Sequence, residues 1–199
     1  MDESGTPSFR ARPVTGRGGA VATLRLLEAR DAARFGDFLD ALSDATRRRF
    51  APHPLDRDAA RRICADLDDG GSWRFVLTDP QDDSVMAYLL VQFLIPQDEK
   101  ARYARAGWVL EDGKDCRIAP VVADHLQGCG WGTELLEGVI DALGRRGCRR
   151  VVLFGGTQAS NHRAIRAYEK AGFVPVGAFD ERGVANVDMG LSLGHEPGF

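Results

Sequence analysis

Apolar residues change their period several times along the chain, and each change marks an element. Residues 21–28 (VATLRLLE) alternate as a strand does. Asp31 then stands where a helix cap would, ahead of Ala32, Phe35, Phe38, Leu39 and Leu42 at helical spacing. Two prolines in residues 46–56 (TRRRFAPHPLD) predict a loop, after which Asp56 restarts a helix through Ala59, Ala60, Ile63 and Leu67. Residues 73–79 (WRFVLTD) and 84–95 (SVMAYLLVQFLI) are β-rich and separated by PQDD, which predicts a hairpin. Its second strand is apolar on both faces and therefore central. A polar stretch follows at 96–107 (PQDEKARYARAG), and then WVL and CRIAPVVA flank EDGK as a second hairpin signal.

Beyond a glycine-rich turn, Leu135, Leu136, Val139, Ile140 and Leu143 form a helical stripe that ends at Arg145, Arg146 and Gly147. Residues 149–156 (RRVVLFGG) read as a short buried strand. Ala164, Ile165, Tyr168 and Ala171 mark another helix, which Gly172 closes before FVPVG. In residues 184–193 (VANVDMGLSL), Val187, Met189, Leu191 and Leu193 share one face of a half-buried strand. Read as an edge strand, it is available to pair across a homodimer. Hairpins mixed with two late crossover helices exclude an all-parallel doubly wound sheet.

With 199 residues and 44% hydrophobic content, the chain can bury one substantial core, so residues 21–199 are expected to form a single domain. Residues 1–20, rich in Gly, Pro, Ser and Arg, are expected to be a flexible tail. The net charge of -3 comes from 29 acidic and 26 basic residues without a one-sided basic excess, so nucleic acid is not an expected partner. Cys64, Cys116, Cys129 and Cys148 form no C-x-x-C pair, and His53, His125, His162 and His195 are as scattered. No metal site is expected, and the thiols are read as reduced and mostly buried. The N-terminus lacks a signal-peptide pattern, and the longest apolar run, 85–95, is too short to span a bilayer. The expectation is a soluble cytoplasmic protein with no membrane partner.

Gly128, Gly130 and Gly132 lie between a strand ending near Val122 and a helix starting near Thr133. There the free N–H groups and the dipole of a helix start favour an anion, commonly a phosphate, and bare glycines let it approach the main chain. A tight turn with no ligand is the alternative; it explains one glycine and leaves two over. The series fits neither G-x-G-x-x-G, because Thr133 stands where the last glycine should, nor G-K-[ST], because no lysine lies nearby.

Gln127, Gly130 and Gly132 do fit Q-x-x-G-x-G, and residues 161–177 (NHRAIRAYEKAGFVPVG) carry N-x-x-A-x-x-x-Y-x-x-x-G-F through Asn161, Ala164, Tyr168, Gly172 and Phe173. With these two motifs in order, one strand and one helix apart, the chain resembles the GNAT superfamily of N-acetyltransferases. The resemblance is specific over residues 117–177 and only architectural over 21–113. It implies an α/β (α+β) fold, a mixed and mostly antiparallel central sheet of about seven strands flanked by about four helices. It implies an N-acetyltransferase that uses acetyl-CoA as co-substrate and passes its acetyl group to a primary amine, of a small molecule or a protein, by direct attack in a ternary complex.

By the same resemblance, Gln127, Gly128, Cys129, Gly130, Trp131, Gly132 and Thr133 hold the pyrophosphate. Pro120, Val121 and Val122 pair their main chain with the pantetheine, and the Val122 N–H faces the thioester oxygen. Tyr168 is the acid for the departing thiolate, and Asn161 caps its helix while touching the cofactor. A tyrosine on a helix stripe also serves as core, and an asparagine there also serves as a cap alone. The strand into the turn carries no carboxylate to act as general base. The nearest, Glu111, Asp115 and Asp124, sit in or beside turns and read as solvated surface groups, so the amine proton is expected to leave through water. Residues 46–56 and 96–107 are expected to wall the amine side, with Arg47, Arg49 and His53 either orienting an anionic acceptor or serving as surface charge and local packing. The missing carboxylate keeps open an alternative: a non-catalytic acyl-CoA-binding sensor or interaction module. Transfer of a longer acyl group is a third reading.

Overall fold

The computed structural model describes residues 9–50, 52–67 and 70–194. In chain order the first elements are β1 (Arg12–Thr15), β2 (Val21–Leu26), α1 (Ala32–Asp40), α2 (Asp44–Arg47), α3 (Arg57–Ala65), β3 (Ser72–Thr78), β4 (Val85–Gln92) and α4 (Gln97–Arg105). Then come β5 (Asp115–Val122), α5 (Trp131–Arg146), β6 (Arg150–Leu153), β7 (Thr157–Gln158), α6 (His162–Lys170), β8 (Val174–Glu181) and β9 (Val184–Ser192). The fold is α+β and mostly antiparallel, with β5 and β6 as a parallel pair. The chain divides into two compact units, Met1–Val91 with Ala119–Gly138, and Gln92–Ile118 with Val139–Phe199. Strand β5 and helix α5 contribute to both.

In the first unit β1 pairs antiparallel with β2 from Arg12↔Leu24 to Thr15↔Val21, and β2 pairs with β3. Order therefore begins before residue 21, where the composition had predicted a flexible tail; residues 1–8 lie outside the described residues. Val14 is the one apolar side chain of β1 that is buried, so a four-residue strand left almost no periodic signal. The ladder supplied by β2 orders it instead. Phe35, Phe38 and Leu39 on α1 are buried, as are Ala59, Ala60 and Cys64 on α3, and the two helices pack on each other. Asp56 caps α3 as expected, its carboxylate accepting from the Ala59 N–H at 2.7 Å. Asp31 does not cap α1. It is buried and accepts from Arg25 at 2.6 and 2.8 Å and from the Glu28 N–H at 2.8 Å. β3 and β4 are joined by a tight turn, the Asp79 N–H donating to the Ser84 carbonyl at 2.9 Å.

In the second unit β5 runs parallel to β6, from Asp115↔Arg150 to Ile118↔Leu153. β6 pairs with β9, which also pairs with β7 and β8. β9 is therefore not an edge, and the pairing surface expected for a homodimer is already used. Of its four predicted apolar residues Met189 is fully buried and Val187, Leu191 and Leu193 are half-buried, but the strand has no solvated face: the polar Asn186 and Asp188 are buried as well. Asp188 is held there by Arg102 of α4, at 2.9 and 3.0 Å.

Helix α4 occupies most of the stretch that read only as polar. Its anchors are Tyr103, fully buried with its O–H donating to the Met189 carbonyl at 3.0 Å, and Glu99. The second hairpin does not form, since residues 108–110 make no strand and EDGK leads only to an Asp112↔Asp115 bridge. Trp108 packs on β9 at Gly190, where a Cβ would come within 2.5 Å of its ring. Nine strands and six α-helices thus stand among the described residues, against about seven and about four expected. The additions include the two-residue β7, the one-turn α2, β1 and α4.

Candidate active site

Strand β5 continues to Val122, past the last residue of its ladder with β6, Ile118. Pro120 lies in that extension and has no N–H to give a ladder. Beyond it a short 3-10 turn, Asp124–Leu126, leads to the glycines.

Two side chains tie this junction to α2 and its cap, Ser43. Asp124 accepts from the Ser43 N–H at 2.8 Å, the Ser43 hydroxyl at 2.8 Å and the Thr46 hydroxyl at 2.7 Å. Burial by itself would push the Asp124 carboxyl up, but the Ser43 amide and the Thr46 and Ser43 hydroxyls outweigh it and hold the group below its usual range. The Gln127 amide donates to the Thr46 hydroxyl at 3.1 Å and to the Val122 carbonyl at 3.2 Å. Gln127 is therefore committed to bracing the turn.

Gly128 and Gly130 have φ of 84° and 94°, a region that side chains rarely enter. The Gly130 carbonyl accepts from the Thr133 and Glu134 N–H groups at 2.9 and 3.2 Å, so Gly130 opens α5. The first helix positions are then Trp131, Gly132 and Thr133. Among the described residues the N–H groups of Gly128, Gly130, Trp131 and Gly132 take no protein acceptor. Four unused donors at the positive end of a sixteen-residue helix offer an anion several hydrogen bonds at once. The turn is not filled by its own side chains. A Cβ at Gly128 would meet nothing within 4 Å, and Cys129 is exposed.

In the second unit Asn161 caps α6, its Oδ1 accepting from the Ala164 N–H at 3.4 Å. Tyr168, on the same helix, has its ring buried 5.6 Å from that of Phe173. Burial pushes its phenol well above the usual range, so the O–H keeps its proton at any physiological pH. Gly172, at φ 90°, ends the helix, and the Phe173 N–H closes back on the Tyr168 carbonyl at 3.0 Å.

The three carboxylates considered as bases are all committed. Glu111 is exposed and bound by Lys114 and Arg149, which push its carboxyl down to about 2. Asp115, read as a solvated group, is fully buried; it accepts from the Glu111 N–H at 2.7 Å and from Arg149 at 3.3 Å. Arg47 is a structural residue, its guanidinium donating to the carbonyls of Leu39, Asp40, Leu42 and Leu55. His53 is half-buried between Phe50 and Tyr88, and burial pulls its imidazole down, toward the neutral form. Arg49 stays exposed.

Two charged residues in buried surroundings had no sequence signal. Arg117 of β5 donates to Glu99 at 3.0 Å and to Gln92 at 2.7 Å, with its guanidinium 3.8 Å above the Phe154 ring. Its partner Glu99 is 3% exposed, and desolvation pushes its carboxyl up despite that arginine. Among the described residues no group of His, Cys, Asp and Glu is arranged to hold a metal ion, and no helix is long and apolar enough to cross a membrane.

A model of the acetyltransferase (GNAT) family matches residues 37–173, a span that includes the glycine turn and α6. None of the curated proteins matches the chain. Among solved structures, the GNAT domain of S. lividans PAT is similar with a TM-score of 0.72 at 23% identity, covering 94% of this chain and 99% of that one. Ribosomal-protein-S5-alanine acetyltransferase from Vibrio fischeri follows with 0.68 at 11%, covering 86% and 92%. Aminoglycoside acetyltransferase AAC(6')-Ib, in complex with coenzyme A and kanamycin, has 0.62 at 21%, covering 86% and 94%. At such identities the likeness is one of fold.

Proposed function

The chain belongs to the acetyltransferase (GNAT) family, an enzyme family of acetyl transfer, and from that premise we propose that it carries acetyl from acetyl-CoA to a primary amine by direct attack in a ternary complex. The observation that carries this reading is the set of four unused N–H donors at the start of α5. In the proposal these amides, with Cys129 and Thr133 completing the turn, hold the diphosphate of the co-substrate. Gln127 keeps the turn in shape rather than binding directly. The main chain of Pro120, Val121 and Val122 pairs with the pantetheine, and the Val122 N–H stabilises the oxyanion as the amine adds to the thioester carbon. The C–N bond forms, the C–S bond breaks, and Tyr168 donates to the departing sulfur. Asn161 sets the first turn of the helix that carries Tyr168 and touches the cofactor. The amine gives its proton to water, because Glu111, Asp115 and Asp124 are each held by cations or hydroxyls.

Acceptors of both proposed kinds, small-molecule and protein amines, stay within this reading. Arg49 is the remaining loop candidate for an anionic acceptor. We read the two units as one catalytic domain, since the family match runs through both, and place the protein in the cytoplasm.

Incubating the protein with acetyl-CoA and a panel of amines, followed by mass spectrometry, should reveal the gain of one acetyl group on an acceptor. In Tyr168→Phe the turnover should fall by about a hundredfold while CoA affinity is kept. An unchanged rate would remove Tyr168 from the acid role. A folded wild type with no affinity for CoA would overturn the whole reading.

A further inference from the structure

The segment expected to be a loose tail is seated on the glycine turn. Gly16 lies against the buried indole of Trp131, where a Cβ would come within 2.8, 2.9 and 3.0 Å of three ring atoms. The chain turns there, with the Gly16 N–H donating to the Ala20 carbonyl at 2.8 Å and with Gly18 and Gly19 at φ 77° and 82°. That turn presents Arg17. Its stem runs over the bare face of Gly130, and a Cβ at Gly130 would meet Arg17 Cγ at 3.1 Å, Cδ at 3.5 Å and Nε at 3.6 Å. A methyl group at 130 would push that stem aside by a few tenths of an ångström.

What the arginine brings completes an unbalanced set of groups. Among the described residues its guanidinium takes no hydrogen bond or ion pair. A guanidinium only donates, and the four neighbouring main-chain groups only donate as well. Like cannot satisfy like: the turn and the exposed arginine beside it offer five donor groups with no acceptor among them. An acceptor-rich anion satisfies all of them, and a diphosphate with oxygens on both phosphorus atoms can be shared between a turn and a clamp.

We infer that Arg17, carried by the β1 segment, is a further binding residue of the cofactor site and clamps the diphosphate of CoA against the turn at residues 128–132. The inference rests on the proposed function for the identity of the anion. It adds a cation from outside both sequence motifs, held in place by Gly16 and Trp131.

The test is calorimetric titration of the full chain with CoA and with dephospho-CoA, which keeps the diphosphate and lacks the ribose phosphate. Arg17→Met keeps the apolar stem over Gly130 and loses the donors. It should weaken CoA about tenfold, and dephospho-CoA by the same factor, with the melting temperature unchanged. The salt dependence of CoA binding should be shallower than in the wild type. Arg17→Lys, which keeps the charge, should recover part of the loss. Equal affinities for the wild type and Arg17→Met would overturn the inference while leaving the proposed function standing. A loss seen with CoA but absent with dephospho-CoA would assign Arg17 to the ribose phosphate and overturn the diphosphate clamp. A wild type that binds neither ligand refutes the functional reading itself.

Discussion

The turn at residues 128–132 and the corner at residues 155–156 each follow a strand, and each uses glycines at positive φ, 84° and 94° in one and 62° and 70° in the other. Their surroundings differ. A Cβ at Gly156 would come within 2.9 Å of both the Phe179 ring and the Val187 carbonyl, whereas a Cβ at Gly128 would meet nothing within 4 Å. The Gly156 N–H has an acceptor, the Leu153 carbonyl at 3.3 Å, whereas the Gly128 N–H has none among the described residues. Gly156 is glycine because the protein fills the space, and Gly128 is glycine with the space and the donor left over. Positive φ alone therefore says nothing about a ligand. Open space does when several unused N–H groups gather at the start of a helix.

Substitutions should separate the two corners. The largest effect is expected at Gly156→Val, where forbidden backbone geometry adds to overlap with Phe179. Thermal denaturation should show a loss of about 3 kcal/mol or more, and an unchanged melt would break the contrast. Gly128→Ala should cost only about 1 kcal/mol of stability from its backbone conformation, yet weaken CoA about tenfold by putting a methyl group where the anion approaches. A melting loss equal to that at Gly156, with CoA binding untouched, would make the open turn another packed corner.

The smallest effect concerns Asp124, which braces the open turn. Its folded pKa lies below the unfolded value of about 3.9, so its contribution is complete above that value and disappears as pH falls through the lower folded one. The difference in melting temperature between the wild type and Asp124→Asn should be small and constant at neutral pH, and should shrink only in acid below about pH 4. A difference already gone near neutrality would mean that the carboxylate does not hold the turn.

Much of the fold was readable because its signals are local. The stripe of α5, the cap of α3, the hairpin of β3 and β4 and the end of α6 at Gly172 each depend on residues within a turn or two of one another. The failures involve partners from far along the chain. α4 was missed because Glu99 pairs with Arg117 and Arg102 with Asp188, eighteen and eighty-six residues away. β9 was misread because its pairing with β6, β7 and β8 makes it central and buries Asn186 and Asp188. The second hairpin failed because Trp108 packs on Gly190 instead of extending a strand.

The same division holds at the site. Sequence by itself determined that a turn with bare glycines precedes a helix and that a tyrosine helix lies downstream, since φ freedom, caps and unpaired first-turn amides follow from neighbouring residues. Only the tertiary structure decided that the turn stands open, that Gln127, Asp124 and Asp115 are committed to bracing, and that Arg17 lies over Gly130. The physical reason is that empty space and unsatisfied donors are properties of what is absent nearby. That absence is defined only once distant segments have taken their places.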